Sequence, residues 1–363
     1  MKLTCSIEKL KSAIGIAEKM VGKNLSLTSL QAILIIASGN SLKIRATNLA
    51  VGVEYEIPAE IAVEGVVLVK ADIISSVVNY LQGDTVELSV VDTTLTVQTK
   101  HHHTIINTIP TTDEFPTLPI IEGQSFTVKT SILKEGIRSV YFCAAATDIK
   151  PEISSIFMYS DEENLVFVAT DSFRLAEKKI HVKQIPEISS MLLPYKNIPD
   201  ILKILDSLDE VVVTFHKNQC SLVGGGIYFT SRLINGAFPD YRQIIPKEEK
   251  TKITLMKSEL VNSLRLSTIF TDKFSHVSIT IPEDKKSCLI SSKNAEIGKS
   301  DTMLDAVIQG EPITVSCNLR YVLDMFQSIA SDSVSLSFTE PTRPIISRGT
   351  SDNSFLYLLM PTR

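Results

Sequence analysis

Lys252-Ile253-Thr254-Leu255 reads as an alternating strand, and it runs into a segment, 260–270, in which Leu260 and Leu264 stand four residues apart, as on one face of a helix. The same opening occurs twice earlier. Lys2-Leu3-Thr4 precedes a helix expected over 7–20, with Leu10 and Ile14 in phase, and Ser125-Phe126-Thr127-Val128 precedes one expected over 132–146, with Leu133 and Ile137. A period of about 125 residues marks a unit repeated three times.

A second signature recurs in the same order: a short apolar strand, a helix, a turn, and a strongly alternating strand. Its copies are Val66-Val67-Leu68-Val69 with a helix over 72–81 and a strand over 83–90, and Met191-Leu192-Leu193-Pro194 with a helix over 198–208 and a strand over 210–215. The third is Ile313-Thr314-Val315-Ser316 with a helix over 319–329 and a strand over 332–338. Segments such as 42–46 and 164–169 alternate as half-buried antiparallel strands do. Each repeat is therefore two helices with many strands, an α+β domain. Closing segments at 109–116 and 236–241 place the domains at 1–122, 123–247 and 248–363.

The chain has 363 residues and is 44% hydrophobic, enough for two or three cores. Cys5, Cys143, Cys220, Cys288 and Cys317 are widely spaced, without metal-type or CxxC spacing, and read as reduced thiols. The first twenty residues lack the apolar core of a signal peptide, and no apolar run approaches the roughly 20 residues that span a bilayer. Secretion and membrane insertion are not expected. A net charge of −5 argues against a module that grips phosphates with its whole surface, so any nucleic-acid contact must use a local basic patch.

Two runs invite other readings. His101-His102-His103 suggests a metal site, but neighbouring side chains on a strand point to opposite faces, and a surface strand fits better. Gly224-Gly225-Gly226 lacks the Lys-Ser/Thr and helix of a phosphate loop and fits a tight turn between strands. No nucleophile, acid or base stands in a catalytic pattern, so neither enzyme activity nor a cofactor is expected.

Ala169-Thr170-Asp171-Ser172-Phe173-Arg174-Leu175-Ala176 resembles the ATDxxRLA segment of the bacterial DNA polymerase III beta subunits, the sliding clamps. Residues 234–242, containing Phe238-Pro239-Asp240-Tyr241-Arg242, resemble their DGxFPDYR segment, and residues 357–363 resemble their apolar MPxR tail. The resemblance covers nearly the whole chain. It implies three tandem clamp domains per protomer and a head-to-tail homodimer that closes a cytoplasmic ring around double-stranded DNA. It also implies a non-catalytic role, holding the polymerase III catalytic subunit, other polymerases, the clamp loader and mismatch-repair factors on DNA through their linear motifs.

By the same resemblance, Lys9, Lys11, Lys134, Arg138, Lys196, Lys203, Arg265 and Arg320 would face the duplex, contacting phosphates without regard to sequence. Arg138 and Arg265 hold equivalent positions in the second and third repeats, where the first has Gly15. A peptide groove would use Thr170, Ser172, Phe173, Arg174, Leu175, Pro239, Ile244, Leu358, Leu359, Met360, Pro361 and Arg363. Ile153, Gln243, Phe274, Asn318, Tyr321 and Pro344 are placed there by weaker local matches. The sequence departs from the family at Ser172, where glycine is frequent, and at Phe173, where histidine or tyrosine is frequent. The dimer seam would hold His103 and Thr104 of one protomer against Thr268 and Ile269 of the other. Two competing readings are a clamp-fold interaction hub that does not encircle DNA and a repeat-built hydrolase.

Overall fold

The computed structural model describes residues 1–22, 28–110, 115–147, 149–183 and 185–362. Among them are six α-helices: α1 (Ile7–Ala17), α2 (Ala71–Tyr80), α3 (Thr130–Val140), α4 (Ile198–Asp206), α5 (Lys257–Ser267) and α6 (Leu319–Asp324). The strands Lys2–Ser6, Gln124–Lys129 and Thr251–Met256 pass directly into α1, α3 and α5. Gly65–Lys70, Met191–Pro194 and Ile313–Asn318 lead to α2, α4 and α6, each followed by an alternating strand.

The odd-numbered helices end before the expected 7–20, 132–146 and 260–270 do; α1 and α3 are shorter, and α5 has the expected length but starts three residues earlier. Each ends in a 3-10 turn, at Glu18–Met20, Tyr141–Cys143 and Thr268–Phe270. The tighter winding turns the chain inward, and in the first two cases it carries Met20 and Cys143 into the core, where both are fully buried.

Two compact units divide the chain, one of Met1–Leu133 with Asn197–Leu233 and the other of Lys134–Lys196 with Ile234–Arg363. In the first, the strand Val51–Val63 pairs antiparallel with Lys2–Ser6 and Ser41–Thr47, and also with Ile227–Arg232. In the second, Arg174–His181 pairs with Asn164–Thr170 and with Phe355–Leu359, in the register Arg174↔Leu359 to Lys178↔Phe355. The division therefore runs through the stretch 123–247, because its strands complete two different sheets.

A turn of one geometry adjoins each of these pairings. Thr47 Oγ1 donates to the Val51 carbonyl at 2.8 Å and accepts from Leu49 N at 3.0 Å, while Asn48 Oδ1 accepts from Ala50 N and Val51 N, both at 2.9 Å. Thr170 Oγ1 donates to the Arg174 carbonyl at 2.7 Å and accepts from Ser172 N at 3.1 Å, while Asp171 Oδ1 accepts from Phe173 N at 2.9 Å and Arg174 N at 3.0 Å. The third residue is left-handed in both, Leu49 with φ 73° and Ser172 with φ 78°. Next to each turn a strand end crosses. The N–H of Arg232 donates to the Ala50 carbonyl and that of Met360 to the Phe173 carbonyl, both at 2.8 Å.

The glycine run closes a hairpin. Gly225 (φ 54°) and Gly226 (φ 80°) form a two-residue turn between Gln219–Gly224 and Ile227–Arg232, which needs positive φ at both positions. Of the histidine run only His103 lies on a strand, the edge strand His103–Asn107, while His101 and His102 sit in the preceding turn. Among the described residues no group of His, Cys, Asp or Glu is placed to hold a metal, and no helix is long and apolar enough to cross a membrane.

All five cysteines are free and buried. Burial pushes the thiols of Cys5, Cys220, Cys288 and Cys317 up to about 12, which leaves them protonated and unreactive. Lys178 is buried in the second unit but satisfied: its ammonium donates to Ser354 Oγ at 2.7 Å and pairs with Glu135 at 3.0 Å and Asp352 at 3.5 Å.

Two substitutions test the packing and the turn. A Cβ at Gly136 of α3 would fall 2.1–2.5 Å from the Phe167 ring, so Gly136→Val should cost about 2 kcal/mol or more and visibly lower the melting temperature. Ser172→Gly removes an L side chain from a left-handed position and should stabilise the fold by about 0.5–1 kcal/mol. An unchanged or lower melting temperature would show that the turn is not strained.

Candidate functional site

The 170–174 turn and the end of the C-terminal strand form one side of a cavity of about 690 Å³ in the second unit. From the expected groove the cavity takes Thr170, Ser172, Arg174, Gln243, Ile244, Pro344, Leu358 and Met360. Its opposite side is made by Ile245, Pro246, Lys247 and Glu248 with Thr339, Glu340, Thr342 and Arg343, none of which the sequence singled out. These residues carry no periodicity and lie in a connecting segment and a turn, where side-chain pattern says little about exposure. The Pro-containing stretch 340–344 was the only available signal, and it indicates a loop without indicating which way the loop faces.

The floor of the cavity belongs to the core. Leu358 packs with Leu175, Val166, Val168, Ile346, Leu356 and Tyr241, and Met360 lies over this cluster half-buried. Leu175 was expected as a groove wall but is fully buried, so it supports the floor without lining it. Leu359 was expected there too. It alternates to the other face of the strand from Leu358 and is also buried. Phe173 stands 61% exposed beside the turn, outside the cavity lining. Ile153, Pro239 and Pro361 do not line the cavity either, and Arg363 lies outside the described residues.

Arg174 joins the cavity to a second group of expected residues. Its Nε donates to Asp171 Oδ2 at 2.9 Å, its Nη1 pairs with Asp324, and its guanidinium lies 4.3 Å from the Tyr321 ring centroid. A guanidinium stays charged throughout the physiological range, and here it is held by two carboxylates and an aromatic face. Tyr321 is fixed in turn, since its carbonyl accepts the Tyr357 hydroxyl at 2.7 Å. Asn318 caps α6 through Arg320 N and Tyr321 N and donates to the Phe274 carbonyl at 3.2 Å, leaving Phe274 59% exposed. Phe274, Asn318 and Tyr321 thus stand together, linked to the cavity through Arg174.

An apolar floor, a half-exposed methionine, a neighbouring exposed phenylalanine and a few fixed polar groups suit an extended segment with apolar anchors. Among the described residues that line the cavity, no nucleophile is hydrogen-bonded to a base.

Of the cations expected to face DNA, Lys9, Arg138, Lys196, Lys203, Arg265 and Arg320 are exposed, while Lys11 and Lys134 are half-buried. The Lys11 ammonium donates to the Leu81 carbonyl at 2.8 Å. Among the described residues, the strand His103–Asn107, which carries His103 and Thr104, ends its sheet and pairs only with Thr94–Gln98. In the other unit Thr268 and Ile269 form an exposed 3-10 turn.

Residues 1–119, 127–240 and 242–363 match, in order, the N-terminal, central and C-terminal domains of the DNA polymerase III beta subunit. The Beta sliding clamp of Bacillus subtilis (strain 168) is 28% identical over 378 residues, covering 100% of both chains. The crystal structure of a DNA polymerase III beta subunit from Thermotoga maritima aligns with a TM-score of 0.92 at 28% identity, over 100% of this chain and 99% of that one. The DNA polymerase sliding clamp from Bacillus subtilis aligns with a TM-score of 0.94 at 26% identity, with the same coverage. Three successive domain matches leave only short connections between them, and the chain belongs to the DNA polymerase III beta subunit family.

Proposed function

We infer that this chain is a DNA sliding clamp: two copies close head to tail around duplex DNA and hold polymerases, the clamp loader and mismatch-repair factors there through linear motifs. The observation that carries the reading is the ordered match of all three family domains, with named sliding clamps aligning along the full length. The role is non-catalytic and cytoplasmic. The protomer comprises three clamp domains at 1–122, 123–247 and 248–363.

The docking site for partners is the cavity beneath Met360, extended past Arg174 to Phe274, Asn318 and Tyr321. The exposed cations on the helices and at their ends touch phosphates weakly and without sequence preference, as a mobile ring requires in a chain of net charge −5. The ring closes where the His103–Asn107 edge meets the Thr268–Ile269 turn of the second copy. The free edge, with Ile105 and Ile269 each 60% exposed, supports that pairing.

Primer extension on singly primed circular DNA, with a cognate polymerase and clamp loader, tests the reading. Adding this chain should lengthen the product of a single binding event manyfold. No lengthening, with peptide binding intact, would favour an interaction hub. Met360→Ala should weaken a leucine- and phenylalanine-anchored peptide about tenfold, equivalent to about 1.4 kcal/mol, as read by fluorescence anisotropy. Arg265→Glu with Arg320→Glu should weaken the clamp's direct binding to linear DNA and flatten its salt dependence, by about 0.9 in log–log slope per lost phosphate contact. An unchanged slope would remove these two residues from the DNA face.

A further inference from the structure

The far wall of the cavity, Gln243 to Glu248, is a run of chain between two anchors. At its distal end Thr339 Oγ1 donates to the Glu248 carbonyl at 3.0 Å, and Lys250 N donates to the Phe338 carbonyl at 3.0 Å. At its proximal end stands the four-residue 3-10 turn Tyr241–Ile244. At that turn Gln243 N donates to the Asp240 carbonyl at 3.4 Å, and Gln243 Nε2 donates to Asp240 Oδ2 at 2.7 Å.

What fixes the turn to the sheet is a line of side chains. Arg242 Nη2 donates to the Tyr159 hydroxyl at 2.8 Å, the Tyr159 and Tyr241 hydroxyls stand 2.7 Å apart, and the Tyr241 hydroxyl donates to Glu177. Each phenol has one proton. With Tyr241 donating to the carboxylate, Tyr159 must donate to Tyr241 and accept from Arg242. The line therefore runs in one direction, from a cation through two phenols to a carboxylate that is 9% exposed. Charged ends strengthen such bonds, and a chain of them polarises each member. Arg242 is further held by Asp161 at 3.2 Å, and Phe238, just before the turn, stacks on Phe157 at 4.8 Å.

The first unit offers the contrast. Its linker reads Phe115-Pro116-Thr117-Leu118 where the second reads Phe238-Pro239-Asp240-Tyr241, so leucine replaces the phenol. There the Tyr228 hydroxyl, from the crossing strand, holds the linker backbone itself, donating to the Pro119 carbonyl at 2.6 Å and accepting from Ile121 N at 3.3 Å. The cavity beside that linker is only about 230 Å³. Holding the start of the linker by a side chain ahead of the wall accompanies a cavity three times larger.

We propose that Tyr159 and Tyr241, linking Arg242 to Glu177, are positioning residues for partner binding: they hold the 243–248 wall at the spacing an anchored peptide requires. The proposal rests on the reading of this cavity as the docking site. Burial and the bond to Glu177 hold the Tyr241 phenol well above its usual range, so its hydroxyl keeps the proton it donates to Glu177 throughout the physiological pH range.

Tyr159→Phe and Tyr241→Phe each remove one hydroxyl while keeping the ring. In the full-length protein, two readouts separate the claims: hydrogen exchange of the 243–248 amides without peptide, and the Kd of a labelled pentapeptide with leucine and phenylalanine anchors. Both variants should exchange these amides at least fivefold faster and bind about tenfold more weakly. Glu177→Gln keeps an acceptor oxygen but loses the charge, and should fall between wild type and the two phenylalanine variants in both. Faster exchange at unchanged Kd, or unchanged exchange in both variants, would overturn the proposal. Failure of the unmodified protein to bind the peptide would overturn the docking-site reading and this inference with it, whereas the exchange result would still report on the anchor.

Discussion

The antiparallel ladder between Arg174–His181 and Phe355–Leu359 is the interaction on which the candidate site depends. It brings residues about 180 apart in sequence into register and sets the 170–174 turn against Met360 through a single backbone bond. With that turn in place Arg174 reaches Asp171, Asp324 and Tyr321, and Leu358 covers Leu175. The ladder continues through Lys179 N to the Ser354 carbonyl at 2.8 Å, while the buried Lys178 ties the same strand to Ser354 and Asp352. Such pairing closes a long loop at an entropic cost that grows only slowly with its length. It is sustained by well-buried strand residues, since Phe355 and Tyr357 are 1% exposed or less.

The first unit repeats this construction around Val51–Val63 and Ile227–Arg232, with the same turn and the same backbone bond. The residues that would make a peptide groove differ there. Val51 stands where the second unit has Arg174, Thr230 where it has Leu358, and Arg232 where it has Met360. The backbone plan is thus common to both junctions, while an apolar floor with a cation held beside it belongs to one.

The three repeats were legible because strand and helix periods survive divergence: every expected helix occurs, displaced mainly by 3-10 ends that periodicity does not distinguish from α-helix. The two-unit division was not legible. Which sheet a group of strands joins depends on an edge contributed from more than a hundred residues away, and nothing in Arg174–His181 signals its pairing with Phe355–Leu359. In the cavity, the turn and the C-terminal strand were legible through the motifs they carry. Leu175 and Leu359 were misplaced because motif membership does not tell a floor from the layer beneath it. The 245–248 and 339–343 wall was missed because loop residues face a cavity by virtue of their anchors, here Tyr241 and Thr339, and not by any pattern of their own.

Two compact units, a strand edge at His103–Asn107 and exposed cations on a net acidic chain make sense together if two copies form a ring whose hold on DNA is topological. The direct measurement is to load the protein with a cognate clamp loader onto nicked circular DNA, remove unbound protein, and follow the bound fraction before and after cutting the circle once with a restriction enzyme. A ring predicts long retention on the circle and rapid loss through the new ends. Equal loss from cut and uncut DNA would contradict encirclement.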